Sequence, residues 1–192
     1  MMHRSQGNHV ADGRLGRRRG RRRLAGGAAV AALIMGAAAC GSSTPSTTTV
    51  TYNKHTFKTQ IGNAFSTVFD LGNPAITPKL AVIQDGQSVK GTFQVALSSS
   101  LASSSAGTSL NSATVLSSTQ CKKLTTPLPS PCAKVNYNIN GPSGSPVLPN
   151  TTGYAVFING KWLVSKSTIC DLLGLFYQAE GKTGTPPGCA GT

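Results

Sequence analysis

The chain is poor in the residues that nucleic-acid binding and acid–base catalysis require. After residue 40 it contains no arginine, a single histidine (His55) and four acidic residues, and 12% of the whole chain is charged. Nucleic-acid binding needs clustered basic side chains that release counterions. The one adjacent basic pair in this part is Lys122-Lys123. We therefore expect no nucleic-acid partner.

Motifs for metals, phosphates and nucleophilic catalysis are also missing. The sequence has no C-x-x-C, no G-x-S-x-G and no glycine-rich phosphate loop with its lysine. His55 is the one imidazole of this part of the chain that a zinc site or a nucleophile–base pair could use. We interpret His55 as an exposed polar residue at the edge of the first helix. No metal, no cofactor and no catalytic residue are predicted.

The few acidic residues have structural interpretations. Asp70 follows a helix, Asp85 forms a turn with Gly86, and Asp171 is placed in the first turn of the last helix, where the helix dipole favours it. The alternative is a small enzyme that uses Asp70 or Asp85 as a base in an apolar cavity, which would raise the pKa of the carboxyl.

Residues 1–39 have the pattern of an export signal. They carry eight of the eighteen basic residues, and an apolar run, Leu24 to Ala39, follows. The run is shorter than the roughly 20 apolar residues of a membrane span, which favours a cleaved signal peptide. The alternative is a signal anchor that is not cleaved. Repeated arginine pairs point weakly to twin-arginine export, which leaves Sec and twin-arginine export both open. Beyond residue 40, ten lysines against four acids leave a net charge of +6, compared with +13 for the whole chain.

Cys40 ends the apolar run in the sequence Ala-Ala-Ala-Cys-Gly, which resembles a bacterial lipobox with Ala37 where leucine is usual. The resemblance implies an acylated Cys40, with chains such as palmitate, and a lipoprotein on the outer face of the cell membrane. The alternative is cleavage after residue 39 and a soluble secreted protein. Residues 40–53 are rich in Ser and Thr and are interpreted as the lipidated cysteine and its flexible tether.

The first half of the remaining chain, from residue 54, has helical periodicity. Apolar residues recur at i, i+4, i+7, i+8, i+11 and i+12 from Phe57, and Gly72-Asn73-Pro74 ends the pattern. A second helix is predicted from Thr77-Pro78. We expect a third helix from Gln87 to about Ala106, although its serine-rich end is a poor helix former.

The second half predicts an antiparallel sheet and a last helix. A strand is expected from Ser109, and a strand with one polar face at residues 135–140, where apolar residues alternate with three asparagines. Residues 141–149 are interpreted as a Gly/Pro-rich connection. Residues 154–164 predict a hairpin turning at Asn159-Gly160, then a helix with Ile169 on its apolar face. Ser165 or Ser167 would cap that helix, and Gly181 would end it.

Together these patterns predict an α+β domain at residues 54–181. N-terminal helices pack on a curved antiparallel sheet of about four strands, and the C-terminal helix closes the sheet. Residues 182–192 form a tail. Four cysteines, Cys121, Cys132, Cys170 and Cys189, follow the export signal, and oxidising compartments favour disulfides. They allow three pairings. We favour the nearest neighbours, Cys121–Cys132 across a Pro-rich loop and Cys170–Cys189 tying back the tail.

The order of elements resembles the cystatin-like cone of the nuclear-transport-factor and ketosteroid-isomerase type. The end of the domain, from Val156 through Asn159-Gly160 and Trp162 to the helix at 166–173, resembles the low-molecular-weight secreted antigen family of mycobacteria and related actinobacteria. Similar segments occur at Phe65–Asp70 and Leu80–Gly86. The resemblance implies a fold and an exported, cell-envelope setting, and brings no catalytic residues.

These observations lead to a functional hypothesis: a non-enzymatic envelope lipoprotein that binds an apolar small ligand or an envelope protein. A purely structural surface protein is the further alternative. Six aromatic residues are available to line a pocket in the cone, although core packing is the simpler interpretation for all of them: Phe65, Phe69, Phe93, Tyr137, Tyr154 and Trp162.

Overall fold

A computed structural model describes residues 51–192, apart from the side chains of residues 100 and 101. The predictions for residues 1–39, Cys40 and most of the tether fall outside these residues. The elements follow in this order: α1 (Phe57–Val68), α2 (Ile76–Ala81), a 3-10 helix (Gly86–Val89), α3 (Lys90–Leu97), α4 (Ser100–Ser103), β1 (Gly107–Leu116), α5 (Ser118–Lys122), β2 (Cys132–Asn140), β3 (Pro146–Ile158), β4 (Lys161–Val164) and α6 (Lys166–Ala179).

The predicted α+β class, with helices before an antiparallel sheet and a helix after it, is confirmed. The four strands are ordered β1-β2-β3-β4, and every neighbouring pair is antiparallel. Next to β4, Ile83 forms a single parallel bridge with Val164. Two hydrogen bonds of 2.9 Å support it, from the Gln84 N–H to the Val164 carbonyl and from the Val164 N–H to the Val82 carbonyl. This segment therefore covers part of an edge that would otherwise be open to pairing.

One face of the sheet packs against the helices in the main hydrophobic cluster, and a smaller cluster covers part of the other face. Val135, Tyr137 and Ile139 of β2 point toward the helices, because side chains alternate along a strand. They join the main core with residues of α1, α3 and α6. On the other face, Val156 packs with Leu128 and the Cys121–Cys132 disulfide in a smaller cluster. The segment Tyr154–Ile158 of β3 therefore lies between β2 and β4 and is covered on both faces.

The hairpin and the last helix form as the local sequence predicts. Asn159 (φ 51°) and Gly160 (φ 78°) both adopt positive φ, which the tight turn between β3 and β4 requires. The Ser165 side chain accepts a hydrogen bond from the Thr168 N–H and caps α6. At the other end, the N–H groups of Gly181 and Lys182 donate to the carbonyls of Gln178 and Tyr177, both at 2.9 Å. This is the Schellman pattern that ends a helix.

Several boundaries differ from the predictions. The helix expected from Gln87 to Ala106 is broken into a 3-10 helix and two α-helices. The second break lies where the Ser98 and Ser99 hydroxyls donate to the carbonyls of Val95 and Ala96 and so compete with the helix for backbone hydrogen bonds. The predicted connection at 141–149 is shorter, because β3 begins at Pro146. A short helix that was not predicted, α5, contains Cys121 just before the Pro-rich loop. Asp171 lies beyond the first turn of α6, which contains no acidic residue.

Candidate functional site

An apolar cavity of about 370 Å³ lies where α3 and α4, the β2–β3 hairpin and α6 meet. Fifteen of its seventeen lining residues are apolar, and the other two are Ser104 and Ser105. The apolar residues are Phe69, Leu71, Phe93, Ala96, Leu97, Ala102, Ile139, Val147, Leu148, Ile169, Leu172, Leu173, Leu175, Phe176 and Ala179. No ionisable side chain is among these seventeen residues.

The cavity has a buried floor and an exposed mouth. We define the floor as Phe69, Ile169, Leu172 and Leu173, whose side chains are at most 7% exposed. We define the mouth as Val147, Leu148 and Leu175, which are 48%, 40% and 52% exposed. Apolar residues normally lose most of their water contact on folding. Three partly exposed ones around one opening therefore form a patch that could contact an apolar ligand.

The α6 stripe builds one wall of the cavity. Ile169, Leu172, Leu173 and Phe176 share one helix face at i, i+3, i+4 and i+7. All four line the cavity, and the first three are also part of the main core. The stripe that predicted a core-facing helix therefore serves two purposes. Ile169, Leu172 and Leu173 are buried in the core, whereas Phe176 is only partly buried and its neighbour Leu175, off the stripe, is exposed.

The six aromatic candidates divide between the cavity and the rest of the core. Phe69 and Phe93 line the cavity. Phe65 and Tyr137 are buried beside Phe69, with the rings of Phe69 and Tyr137 stacked at 5.9 Å between centroids. They therefore lie outside the lining.

Tyr154 belongs to the cluster on the other face of the sheet. Trp162 packs in an aromatic group with Tyr52, Phe57 and Phe157, with ring centroids 5.3–6.3 Å apart. Neither side chain lines the cavity. The indole fluorescence of Trp162 would therefore report on that aromatic group and not on cavity occupancy.

Sequence reasoning missed the mouth of the cavity. Val147 and Leu148 fall in a stretch interpreted as a polar connection, and Leu175 lies off the predicted apolar stripe of α6. The available signal was the adjacent apolar pair in an otherwise Gly/Pro/Ser-rich segment.

Neither carboxylate considered as a base is among the lining residues, although Asp70 lies between Phe69 and Leu71, which are. The Asp85 carboxylate accepts a hydrogen bond from the Lys166 ammonium at 3.1 Å, and this contact lowers the pKa of Asp85. The main-chain carbonyl of Asp70 accepts from the buried Lys79 ammonium. Desolvation lowers the pKa of Lys79, while the nearby Asp70 carboxylate opposes that shift. Neither aspartate lines the cavity, and His55 is exposed.

Two further titratable groups sit near the floor. Tyr137 is fully buried, and desolvation strongly raises the pKa of its hydroxyl, with a smaller contribution from Asp171. Desolvation also raises the pKa of Asp171. Neither residue is part of the lining, so the polar chemistry of the cavity itself is limited to the two serines and to backbone groups.

The disulfides join the nearest cysteines, as expected. Cys121 pairs with Cys132 and Cys170 with Cys189, with Cα–Cα distances of 6.0 and 5.5 Å. The second disulfide fixes the tail to α6. The Thr92 hydroxyl also donates a hydrogen bond of 2.9 Å to the Pro187 carbonyl in the tail. Because Thr92 is on α3, the tail links the two helices that flank the cavity.

The structure thus defines a disulfide-bonded α+β domain with an uncharged apolar cavity. Residues 53–180 match the family described as low molecular weight antigen MTB12, C-terminal domain, and the chain belongs to this family. This confirms the expectation drawn from the sequence. Comparisons with curated proteins and with solved structures gave no match.

Family membership indicates an extracellular or cell-envelope location for this antigen-type domain. Within residues 51–192, none of the helices has the length and apolarity to cross a membrane. The same residues contain no group of three or more His, Cys, Asp or Glu side chains that could hold a metal ion.

Proposed function

We propose that the protein is a membrane-anchored envelope lipoprotein whose domain binds an apolar small molecule, without catalysing a reaction. One observation carries the binding proposal: a cavity of about 370 Å³ in which fifteen of seventeen lining residues are apolar. Ligand pockets typically range from about 300 to 1,000 Å³ and are lined mainly by hydrophobic side chains. The cavity is therefore large enough for a ligand and has the lining that an apolar one needs.

The mouth supports the same proposal. Val147, Leu148 and Leu175 keep large apolar areas in contact with water. A ligand that covers them gains hydrophobic free energy of about 25 cal/mol for each Å² removed from water. The buried floor would supply close contacts that need little rearrangement, because most of its side chains are already held in the core.

The anchoring proposal rests on cysteine pairing and on tether length. The four cysteines of the domain pair among themselves, which leaves Cys40 as the fifth. Two acyl chains at one site anchor a protein stably where a single chain does not. Tyr52 packs against Phe57 and Trp162, so the tether predicted from the Ser/Thr-rich composition consists of the eleven residues 41–51. It would keep the domain near the bilayer, into which apolar ligands partition.

Ligand binding can be tested with Nile red, a neutral probe whose emission rises in apolar surroundings. The protein starting at residue 41 should enhance its emission, and Ala96→Phe should reduce the enhancement, because Ala96 is a buried residue that lines the cavity. Val95→Phe is the control on the same helix, since the exposed Val95 does not line it. Circular dichroism would verify that both variants fold. Equal enhancement by the two variants would contradict binding in this cavity.

Anchoring can be tested separately in cells. An inhibitor of lipoprotein signal processing should cause accumulation of a slower-migrating precursor, and Cys40→Ser should release the protein from the membrane fraction. Cys121→Ser is the control, since its sulfur belongs to the Cys121–Cys132 disulfide. Unchanged gel mobility together with a soluble wild-type product would refute the lipoprotein and favour the secreted form.

A further inference from the structure

The charge distribution around the cavity narrows the class of ligand. Lysines outnumber acidic residues ten to four after residue 40, yet no lysine lines the cavity. The two lysines that flank α6 are engaged with carboxylates, Lys166 with Asp85 at 3.1 Å and Lys182 with Glu180 at 2.6 Å. An anionic headgroup at the mouth would therefore meet no cation among the lining residues, although this part of the chain is basic.

Such a site would bind an anionic ligand weakly. At the half-exposed mouth an ionised carboxylate would lose part of its hydration against apolar side chains, and no cation among the lining residues compensates that loss. The polar residues of the lining are Ser104 and Ser105, and neither carries a charge. The lining thus matches a ligand whose polar end is neutral.

The volume limits the apolar part of the ligand. About 370 Å³ lies near the lower end of the roughly 300–1,000 Å³ that ligand pockets span, which favours a ligand with one chain. A lipid with two long chains would leave most of one chain outside the cavity.

We infer that the cavity takes a single-chain lipid with an uncharged polar end, such as a fatty-acid ester of glycerol. This inference rests on the proposed binding function and specifies its ligand. The chain occupies the floor formed by Phe69, Ile169, Leu172 and Leu173. The uncharged end lies at the mouth, near Ser104 and Ser105.

The test compares two photoreactive, alkyne-tagged probes in washed membranes that carry the full-length protein. One is the glycerol monoester of a twelve-carbon diazirine fatty acid, and the other is the free acid. At pH 7.4 we expect the ester to label cavity-lining peptides roughly tenfold more strongly than the acid does. With shorter esters, labelling at limiting probe concentration should fall about fourfold for each methylene removed.

A charge variant at the mouth makes the test specific. Leu175→Lys places a cation beside the opening and should raise labelling by the free acid several-fold, while Leu175→Glu should not. Leu175 is half exposed, so both variants should fold. Val95→Lys is the control, because Val95 is similarly exposed on α3 and does not line the cavity.

The outcomes separate the inference from the proposed function. Equal or stronger labelling by the free acid in the wild type would overturn the neutral-lipid class while leaving the cavity as a binding site. An equal response of Leu175→Lys and Val95→Lys would also overturn it. If neither probe labels the lining and Nile red does not bind, the proposed binding function itself fails.

Discussion

Thr168 on the last helix binds both backbone groups of Tyr154 on the central strand β3. The Tyr154 N–H donates to the Thr168 hydroxyl at 2.7 Å, and that hydroxyl donates to the Tyr154 carbonyl at 3.3 Å. The side chain of Thr168 is buried, so these backbone groups are satisfied without water. This contact fixes the start of α6 against the sheet and thereby positions the α6 wall of the cavity.

Replacing this hydroxyl should destabilise the domain. Thr168→Val keeps the shape of the side chain and leaves the Tyr154 N–H without its partner, which should cost about 1–3 kcal/mol of unfolding free energy. Thr168→Ser keeps the hydroxyl and should lose less. Chemical denaturation followed by circular dichroism measures both. Equal losses would show that the methyl group, and not the hydrogen bond, carries the contact.

A substitution at Tyr137 should instead stabilise the domain. Its hydroxyl is buried and has no hydrogen-bond partner in residues 51–192. Tyr137→Phe removes an unsatisfied polar group and should raise the unfolding free energy by about 1 kcal/mol at pH 7. Tyr177→Phe is the control, because Tyr177 is only partly buried. A loss of stability in Tyr137→Phe would contradict the absence of a partner.

The same residue predicts a pH dependence. Burial raises the pKa of Tyr137 above its ordinary value of 10.0, so the folded state keeps a proton that the unfolded state loses above that pH. The unfolded state then binds fewer protons, and the unfolding free energy falls as pH rises. Tyr137→Phe should lack this part of the decline, so its advantage over wild type should grow between pH 9 and 11. A constant difference would refute the raised pKa.

Gly188 should be more sensitive to substitution than a matched glycine in the same tail. Gly188 and Gly184 have similar backbone angles, φ 84° and 91°. A Cβ on Gly188 would lie 2.0 Å from the Ser88 carbonyl oxygen, whereas one on Gly184 would meet nothing within 4 Å. Gly184→Ala should therefore cost roughly 1 kcal/mol for the positive φ, and Gly188→Ala about 2 kcal/mol or more beyond that. Equal thermal shifts would show that the tail is not packed against Ser88.

Removing the disulfide of the tail should have a local signature as well as an energetic one. The double variant Cys170→Ala, Cys189→Ala should lose about 3 kcal/mol. Amide exchange in residues 183–192 should also accelerate, because the tail would be held mainly by the Thr92–Pro187 hydrogen bond. The double variant Cys121→Ala, Cys132→Ala is the control: it should lose similar stability while exchange in the tail stays slow. Fast amide exchange of the tail in both double variants would show that the Cys170–Cys189 disulfide is not what specifically holds the tail.

Local patterns predicted most of the architecture. The alternation of Val135, Tyr137 and Ile139 with asparagines identified a strand with one polar face, and the Asn159-Gly160 turn set the β3–β4 register. These signals work because they depend on side-chain periodicity and on backbone angles of neighbouring residues. The breaks at Val89 and Ser98 were missed, since the competition between serine side chains and the helix depends on what each turn packs against.

The cavity could not be derived in the same way. An apolar stripe such as Ile169, Leu172 and Leu173 looks the same in the sequence whether it packs against a core or faces a cavity. Whether it encloses a void depends on how far α3, α6 and the β2–β3 hairpin stand apart. That separation is set by long-range contacts such as Thr168 to Tyr154 and Thr92 to Pro187.

The sequence by itself determined the α+β class, the family and the hairpin with its capped closing helix, because each rests on residues close together in the chain. It also predicted the nearest-neighbour disulfides that the structure contains. Only the tertiary structure decided that Phe69 and Phe93 line a cavity while Trp162 and Tyr154 do not. The physical reason is that burial depends on the distance between packed elements, and no residue's neighbours in sequence encode that distance.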